Sequence, residues 1–313
     1  MSMSKSPVQY ITIPPDFAEQ RIDNFLIARL KGVPKAHIYR ILRKGEVRVN
    51  KKRIKQTYRL QEEDQVRIPP LELEDANTVP APSNQFVTFL ATRILYEDNN
   101  LLIINKPAGI PVHGGSGVRL GMIEALRVIY PELDQLELVH RLDRDTSGCL
   151  IVAKKRSTLR ELHQLLREGR VRKIYHTLTR GHWKPAALRV EAPLRKNLLS
   201  SGERIVRVNE EGKPSVTIFK PLVRYKYSTL MEALLETGRT HQIRVHAQFR
   251  GHQVAGDEKY GDKEFNRQMT QYGLKRLFLH AYFVEFTLPS TGQHFQVTAP
   301  LDDDLQACLK ALE

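Results

Sequence analysis

Cysteine is scarce in this chain of 313 residues: there are two, Cys149 and Cys308, at no metal-type spacing. That argues against a disulfide framework or a zinc knuckle, and the pair reads as buried thiols in a reducing cytosol, so a cytoplasmic location is expected. No apolar run approaches the roughly 18 residues that cross a bilayer, so no membrane segment is expected. The opening residues, MSMSKSPVQYITIPPDF, lack a charged stretch followed by an apolar one, so no secretory signal is expected. Walker and EF-hand loops are missing, as is H-E-x-x-H among the 11 histidines. Residues 113–117, HGGSG, hint at a hydrolase elbow, but Val118 stands where G-x-S-x-G needs its last glycine. Asp302-Asp303-Asp304 reads as a solvated acidic turn. Neither a metal nor a nucleotide cofactor is expected.

Positive charge is abundant. Lys and Arg number 49 against 35 Asp and Glu, a net of +14. The balance favours a polyanionic partner, of which nucleic acid is the commonest. With 41% hydrophobic residues the chain is globular and long enough for one large domain and a small one.

The charge is uneven. Residues 18–70 hold 14 Lys and Arg against 6 Asp and Glu, a net of +8, more than half the excess in about a sixth of the chain. Here Ile22, Phe25, Leu26, Ala28 and Leu30 share one helical face, and Ile38, Ile41 and Leu42 another. Pro34 suits a first helical residue and Gly45 a helix end. Residues 46–50 alternate as a strand, residues 50–52 turn, and Gln65 to Ile68 make a further strand. Arg40, Arg43, Lys44, Arg48, Lys51, Lys52 and Arg53 flank the second helix and the hairpin, a clustering suited to a phosphate backbone. The expected boundaries are an N-terminal extension (1–17), a small basic domain (18–75), a Pro-rich linker (76–92) and a body (93–313). The body mixes strands (101–104, 150–153, 175–178, 229–235) with helices (122–130, 157–168, 240–249) in no strict βαβ order. That predicts an α+β fold with a mixed, largely antiparallel sheet.

Residues 140–148, HRLDRDTSG, pack two carboxylates between guanidiniums before an apolar strand. A solvated charge run has this look, and so does a loop holding a reactive carboxylate on a rigid frame. Asp143 between Arg141 and Arg144 would be held ionised, as a nucleophile or base; Asp145 reads as a structural carboxylate. A second word, GRTHQIRVH (238–246), places Thr240 to cap a helix carrying His241 and Arg244 on one face, with Arg239 free to point outward. Arg244 is the candidate partner of Asp143. A third, KIYHTLTRG (173–181), offers Tyr175 on an alternating strand, to stack on a base or to fill core.

RIDNFL, IYRILRKGEVRVN and DQVRIPP resemble the small RNA-binding domain first described in ribosomal protein S4, which implies an RNA anchor. NKPAGIPVHGG (105–115), HRLDRDTSG, KIYHTLTRG, GRTHQIRVH and FLHA (278–281) then follow in the order found in RNA pseudouridine synthases of the type of large-subunit synthase A. The chain resembles that family over nearly its whole length. The resemblance implies an isomerase without a cofactor, with Asp143 as the essential carboxylate and Arg141 as the arginine that takes the flipped uridine's place. It implies Tyr175 stacked on the target base and Arg244 paired with the aspartate; Arg239 and His241 are read as further RNA contacts. The expected partner is 23S ribosomal RNA or a large-subunit precursor particle, and the expected state a monomer. The competing reading is a non-catalytic RNA-binding assembly factor; a glycosidase using Asp143 and Asp145 ranks below both, since two carboxylates two residues apart on one loop make no persuasive acid and nucleophile pair.

Overall fold

The runs 101–104 and 149–153 are apolar without alternation, and in the computed structural model every residue of their strands, Leu101–Lys106 and Ser147–Ala153, is buried. Continuous apolar runs of this kind belong to sheet centres covered on both faces. The structure describes residues 7–30, 33–71, 83–114, 120–133, 135–184, 188–198 and 204–313. It divides into two compact units, Met1–Ala81 and Pro82–Glu313. No helix among the described residues is long and apolar enough to cross a membrane.

The small unit runs β1 (Gln9–Thr12), α1 (Ile22–Arg29), α2 (Lys35–Lys44), β2 (Arg48–Val49), β3 (Lys52–Arg53) and β4 (Gln65–Ile68). Ile22, Phe25, Leu26, Ile38, Ile41 and Leu42 bury the two helices' apolar faces against Val49, Val66 and Ile68 of the sheet. Gly45 ends α2 in the left-handed region, at φ 70°. Pro34 is the N-cap rather than the first helical residue. The strand expected over 46–50 is only Arg48–Val49, because Asn50 and Lys51 both take positive φ to turn the hairpin. The expected N-terminal extension is a correction too: it supplies β1, which pairs antiparallel with β4 and completes a sheet of order β1-β4-β2-β3.

The large unit opens with α3 (Asn84–Ala91). This corrects the expected linker, of which residues 76–82 lie outside the described residues. The Ser83 hydroxyl accepts from Phe86 N and caps the helix, and Phe86 and Leu90 fall four apart on its packed side. The proline and acidic content just upstream hid this short helix. There follow β5 (Ile94–Glu97), β6 (Leu101–Lys106), α4 (Met122–Ile129), β7 (Glu137–Leu138), β8 (Ser147–Ala153), α5 (Arg156–Arg167), β9 (Arg172–Arg180), β10 (Leu188–Glu191), β11 (Leu194–Leu198), β12 (Arg204–Val208), β13 (Val216–Arg224), β14 (Ser228–Leu235), α6 (Gln242–Phe249), α7 (Lys263–Thr270), β15 (Leu279–Thr287), β16 (His294–Thr298) and α8 (Asp303–Leu312).

The main path of the large sheet is β10-β13-β14-β9-β15-β8-β6-β5, with β16 on β15 and β7 on β8. Its pairings are antiparallel apart from β15 with β8, so the unit is the α+β, mixed and largely antiparallel fold expected. Register sets one row across its centre: Ala233 opposite Tyr175, Tyr175 opposite Ala281, Ala281 opposite Gly148, and Gly148 opposite Lys106. A tyrosine thus stands in a line of two alanines and a glycine, which leaves space around its ring. Asp302 and Asp304, read as a solvated turn, instead bind Arg276 and Arg93 as α8 begins.

Candidate active site

Two backbone anchors hold the 140–146 loop. Thr146 N donates to Asp143 O at 3.2 Å and closes a tight turn. The Arg144 carbonyl accepts from Gly109 N and from Lys106 Nζ, each at 2.9 Å. Lys106 is fully buried and gives its other two N–H groups to the carbonyls of Pro107 and Ile110. Three carbonyls around one ammonium tie the 106–110 turn to the loop, although burial pulls the group's pKa down to about 7, with Asp145 and Asp143 opposing. Behind the loop, His140 Nε2 accepts from Ile151 N, and burial holds the imidazole neutral, with its pKa down to about 4.

The loop separates its two carboxylates. Asp145 takes the Arg144 guanidinium in an exposed pair at 3.0 Å. Asp143, expected between Arg141 and Arg144, turns instead to Arg244 of α6, whose Nη1 lies 3.5 Å from Asp143 Oδ2. Arg141 is exposed, and its guanidinium makes no hydrogen bond to a described residue.

Arg244 is held from behind. Its Nε and Nη2 each donate to Asp257 at 2.7 Å, and its guanidinium carbon stands 4.9 Å from the centre of the Tyr260 ring. Burial alone would raise the Asp257 carboxyl; the Arg244 pair and the N–H groups of Tyr260 and Lys259 outweigh it, so the group stays below its ordinary range. Asp257 therefore takes most of the guanidinium's charge. Asp143 receives a loose third bond on Oδ2, and Oδ1 takes none from the described residues.

His241 is the second group facing Asp143, with Nε2 at 3.7 Å from Oδ2. The expected Thr240 cap is corrected: α6 starts at Gln242, and His241 is its N-cap residue, at φ 56° with no side-chain cap. That left-handed turn aims the ring inward. Burial lowers the imidazole's pKa against the pull of Asp143, so the ring is neutral at pH 7. Its Nδ1 lies 2.7 Å from the Tyr260 hydroxyl, which also accepts from Val206 N at 2.9 Å. A lone pair on Nε2 would face the carboxylate, so the hydroxyl donates to Nδ1 and Nε2 carries the proton. Gln242 pins the same turn, accepting from Thr237 Oγ1 and Arg239 N and donating to Val216 O and Thr217 Oγ1.

Tyr175 closes the pocket with Leu142, Leu235, Ile243 and Leu279. Burial, then the nearby Asp143, raises its phenol well above the ordinary range, so the hydroxyl stays protonated. The pocket shares Arg141, Tyr175, Leu235 and Arg239 with a cleft of about 660 Å³. Four groups singled out in three distant words of the chain (Asp143, Tyr175, His241 and Arg244) thus meet around one slot. Asp257, Tyr260, Gln242 and Lys106 escaped the sequence reading. GDEKYG (256–261), a polar turn between two glycines, was the available signal for the first two; Gly256 takes φ 70° against the Arg276 backbone.

In the small unit, Arg40, Lys44, Arg48 and Lys51 line a cleft of about 1100 Å³ with His37, Arg67 and Tyr10. Arg43 and Lys52 are not among its lining residues, and Arg53 turns back to donate to the Arg43 carbonyl. Register aligns Tyr10, Arg67, Arg48 and Arg53 across all four strands. Tyr10 and Arg67 had not been foreseen.

Residues 100–249 match the RNA pseudouridylate synthase family, and residues 20–66 match the S4 domain. Ribosomal large subunit pseudouridine synthase C of Pasteurella multocida is 58% identical over 306 residues, covering 97% of this chain and 94% of that protein. The protein of that name in Escherichia coli is 56% identical over 315 residues, covering 100% and 99%. The chain belongs to the RNA pseudouridylate synthase family. Among solved structures, human RNA pseudouridylate synthase domain containing 4 superposes with a TM-score of 0.62 at 26% identity, over 73% of this chain and 96% of that one. The synthase fold thus accounts for the large unit, and an S4 domain for the small one.

Proposed function

We propose that this enzyme converts specific uridines of 23S ribosomal RNA to pseudouridine, with Asp143 as the catalytic carboxylate. One observation carries the proposal: Asp143 presents an uncommitted oxygen in a pocket walled by the Tyr175 ring, while Arg244 and His241 hold its other oxygen. The Pasteurella and Escherichia relatives are named for the large ribosomal subunit, and 23S is the RNA that the sequence resemblance implies.

The reaction breaks the N1–C1′ bond, turns the uracil and joins C5 to C1′; the C5 hydrogen leaves as a proton and N1 gains one. Asp143 attacks C1′ or C6, or takes the C2′ proton to form a glycal, and each route uses the carboxylate form. The loose third bond from Arg244 suits this, since a tight bidentate pair would bury the nucleophile in its own salt bridge. Tyr175 offers a protonated ring for the base to lie against. Flipping the uridine costs a few kcal/mol, and Arg141, exposed at the mouth with no hydrogen-bond partner among the described residues, fills the vacated place. The basic cleft of the small unit adds phosphate contacts of its own.

The test uses unmodified 23S transcript tritiated at uridine C5. Release of tritium by the intact protein and none by Asp143→Asn supports the proposal, and mapping the modified sites names the targets. Release by both proteins removes Asp143 from the chemistry. No release by either on the transcript or on large-subunit precursor particles leaves a binding protein.

A further inference from the structure

The 660 Å³ cleft beside the Asp143 pocket is lined by four cations, Arg141, Arg167, Lys173 and Arg239. Lys173 and Tyr175 are two apart on β9, so both side chains leave the same face of the strand. Tyr175 walls the pocket and Lys173 enters the cleft. Its ammonium makes no hydrogen bond or ion pair with a described residue, although its stem is half-buried. The cleft's two carboxylates are engaged elsewhere: Glu168 with Arg170 and Gln164, and Glu236 with Arg189. His140, also on the wall, is neutral and offers no negative charge. Opposite, Gly238 presents bare backbone; a Cβ there would stand 3.8 Å from Lys173 Nζ. A sheathed lysine that no anion of the protein satisfies marks a place where an anion is to arrive.

We infer that Lys173, with Arg167 and Arg239, forms a phosphate subsite that takes a backbone phosphate flanking the target nucleotide. This rests on the reading that an RNA nucleotide enters the Asp143 pocket. With its base against Tyr175, the ribose places the adjoining phosphates at the pocket's mouth, where the cleft begins. Arg239 is preset for the role, since its Nε is tied to Pro214 O and its exposed side chain lines the cleft. Burial lowers the Lys173 pKa and no carboxylate raises it back, so the ammonium gains most from an incoming phosphate.

The experiment is filter binding of unmodified 23S transcript to the full chain between about 50 and 200 mM salt, for wild type, Lys173→Met and Lys173→Arg. Removing the cation that neutralises one phosphate lowers affinity several-fold and reduces the slope of log K against log salt by about 0.7, the single-strand value per phosphate. Lys173→Arg keeps the slope. Unchanged slope in Lys173→Met overturns the subsite even if affinity falls, because a structural defect weakens binding without removing a counterion step. Fluorescence of the single tryptophan, Trp183, checks folding in each variant. Tritium release from wild type is read alongside. Its absence on transcript and precursor particles alike, with the slope change intact, defeats the isomerase reading and keeps the subsite; release without a slope change defeats the subsite alone. A wild type that fails to bind the transcript overturns both.

Discussion

Acid should loosen the large unit through His280, and the amount follows from the network around it. His280 is fully buried on β15, opposite Ser147 of β8. Arg276 Nη1 donates to Ser147 Oγ at 3.1 Å, so the hydroxyl proton goes to His280 Nδ1 at 2.8 Å, and Nε2–H donates to Ala299 O at 3.0 Å. Every partner fits the neutral ring, and a second proton would oppose the Ser147 hydroxyl. Burial takes the pKa from 6.5 to about 4; Ala299 O and Asp302 oppose the shift, Arg276 and Arg93 add to it. Between those values the unfolded chain binds a proton that the folded one refuses, so stability is present above pH 6.5 and falls as pH drops toward 4. At about 1.36 kcal/mol per unit, the full window is worth about 3 kcal/mol, of which about 2 kcal/mol is lost between pH 7 and 5. His140 and His176 share the direction, each held near 4 by burial. Comparison with His280→Gln, whose amide can meet both partners without titrating, isolates His280 because the other two titrate in both proteins. The assay is urea unfolding at pH 7, 6 and 5 followed by Trp183, which is 1% exposed and reports on the large unit alone. Parallel stability-against-pH curves for the two proteins refute the assignment.

Four further outcomes are expected. Asp257→Asn strips the Arg244 guanidinium of its bidentate partner inside the protein, at a cost of about 3–5 kcal/mol in urea unfolding; a drop below about 1 kcal/mol means the pair is not what holds α6 in place. Tyr260→Phe removes the hydroxyl that orients His241, and turnover in the tritium assay falls about tenfold, about 1.4 kcal/mol, while affinity for the transcript is kept; unchanged turnover dismisses the Tyr260–His241–Asp143 chain. Gly148→Ala puts a Cβ 2.3 Å from the Ala281 carbonyl oxygen at φ +107°, so little soluble protein is expected, whereas Gly109→Ala at φ +83° meets nothing and costs about 1–2 kcal/mol; equal yields and stabilities refute the steric argument. Arg48→Gln with Arg67→Gln lowers the salt slope of transcript binding by about 0.7 for each phosphate no longer neutralised and leaves turnover at saturating RNA unchanged; an unchanged slope removes the small sheet from the RNA interface.

What was legible in the sequence is what local chemistry writes into neighbouring positions. HRLDRDTSG announces a charged turn before a buried strand, and the structure supplies both. GRTHQIRVH announces Arg244, which reaches Asp143 across 101 positions. The partners inside each word were not legible, because adjacency in sequence says little about adjacency of side chains. Arg144 is next to Asp143 in the chain yet binds Asp145, while His241 left its expected helical face once the backbone took φ 56°. In the small unit the dense basic run drew attention to Arg43 and Lys52, whereas register brings Arg67 and Tyr10 beside Arg48 from strands that carry little charge. The row Ala233–Tyr175–Ala281–Gly148 shows the limit most directly. Each of those small residues is inconspicuous in its own strand, since an alanine or glycine there has no periodicity to read. Only pairing sets them around one tyrosine, and pairing is decided by core burial and turns across the whole unit. The space beside the Tyr175 ring is therefore a property of the sheet's register, which a shift of one residue in β15 would destroy while leaving every motif intact.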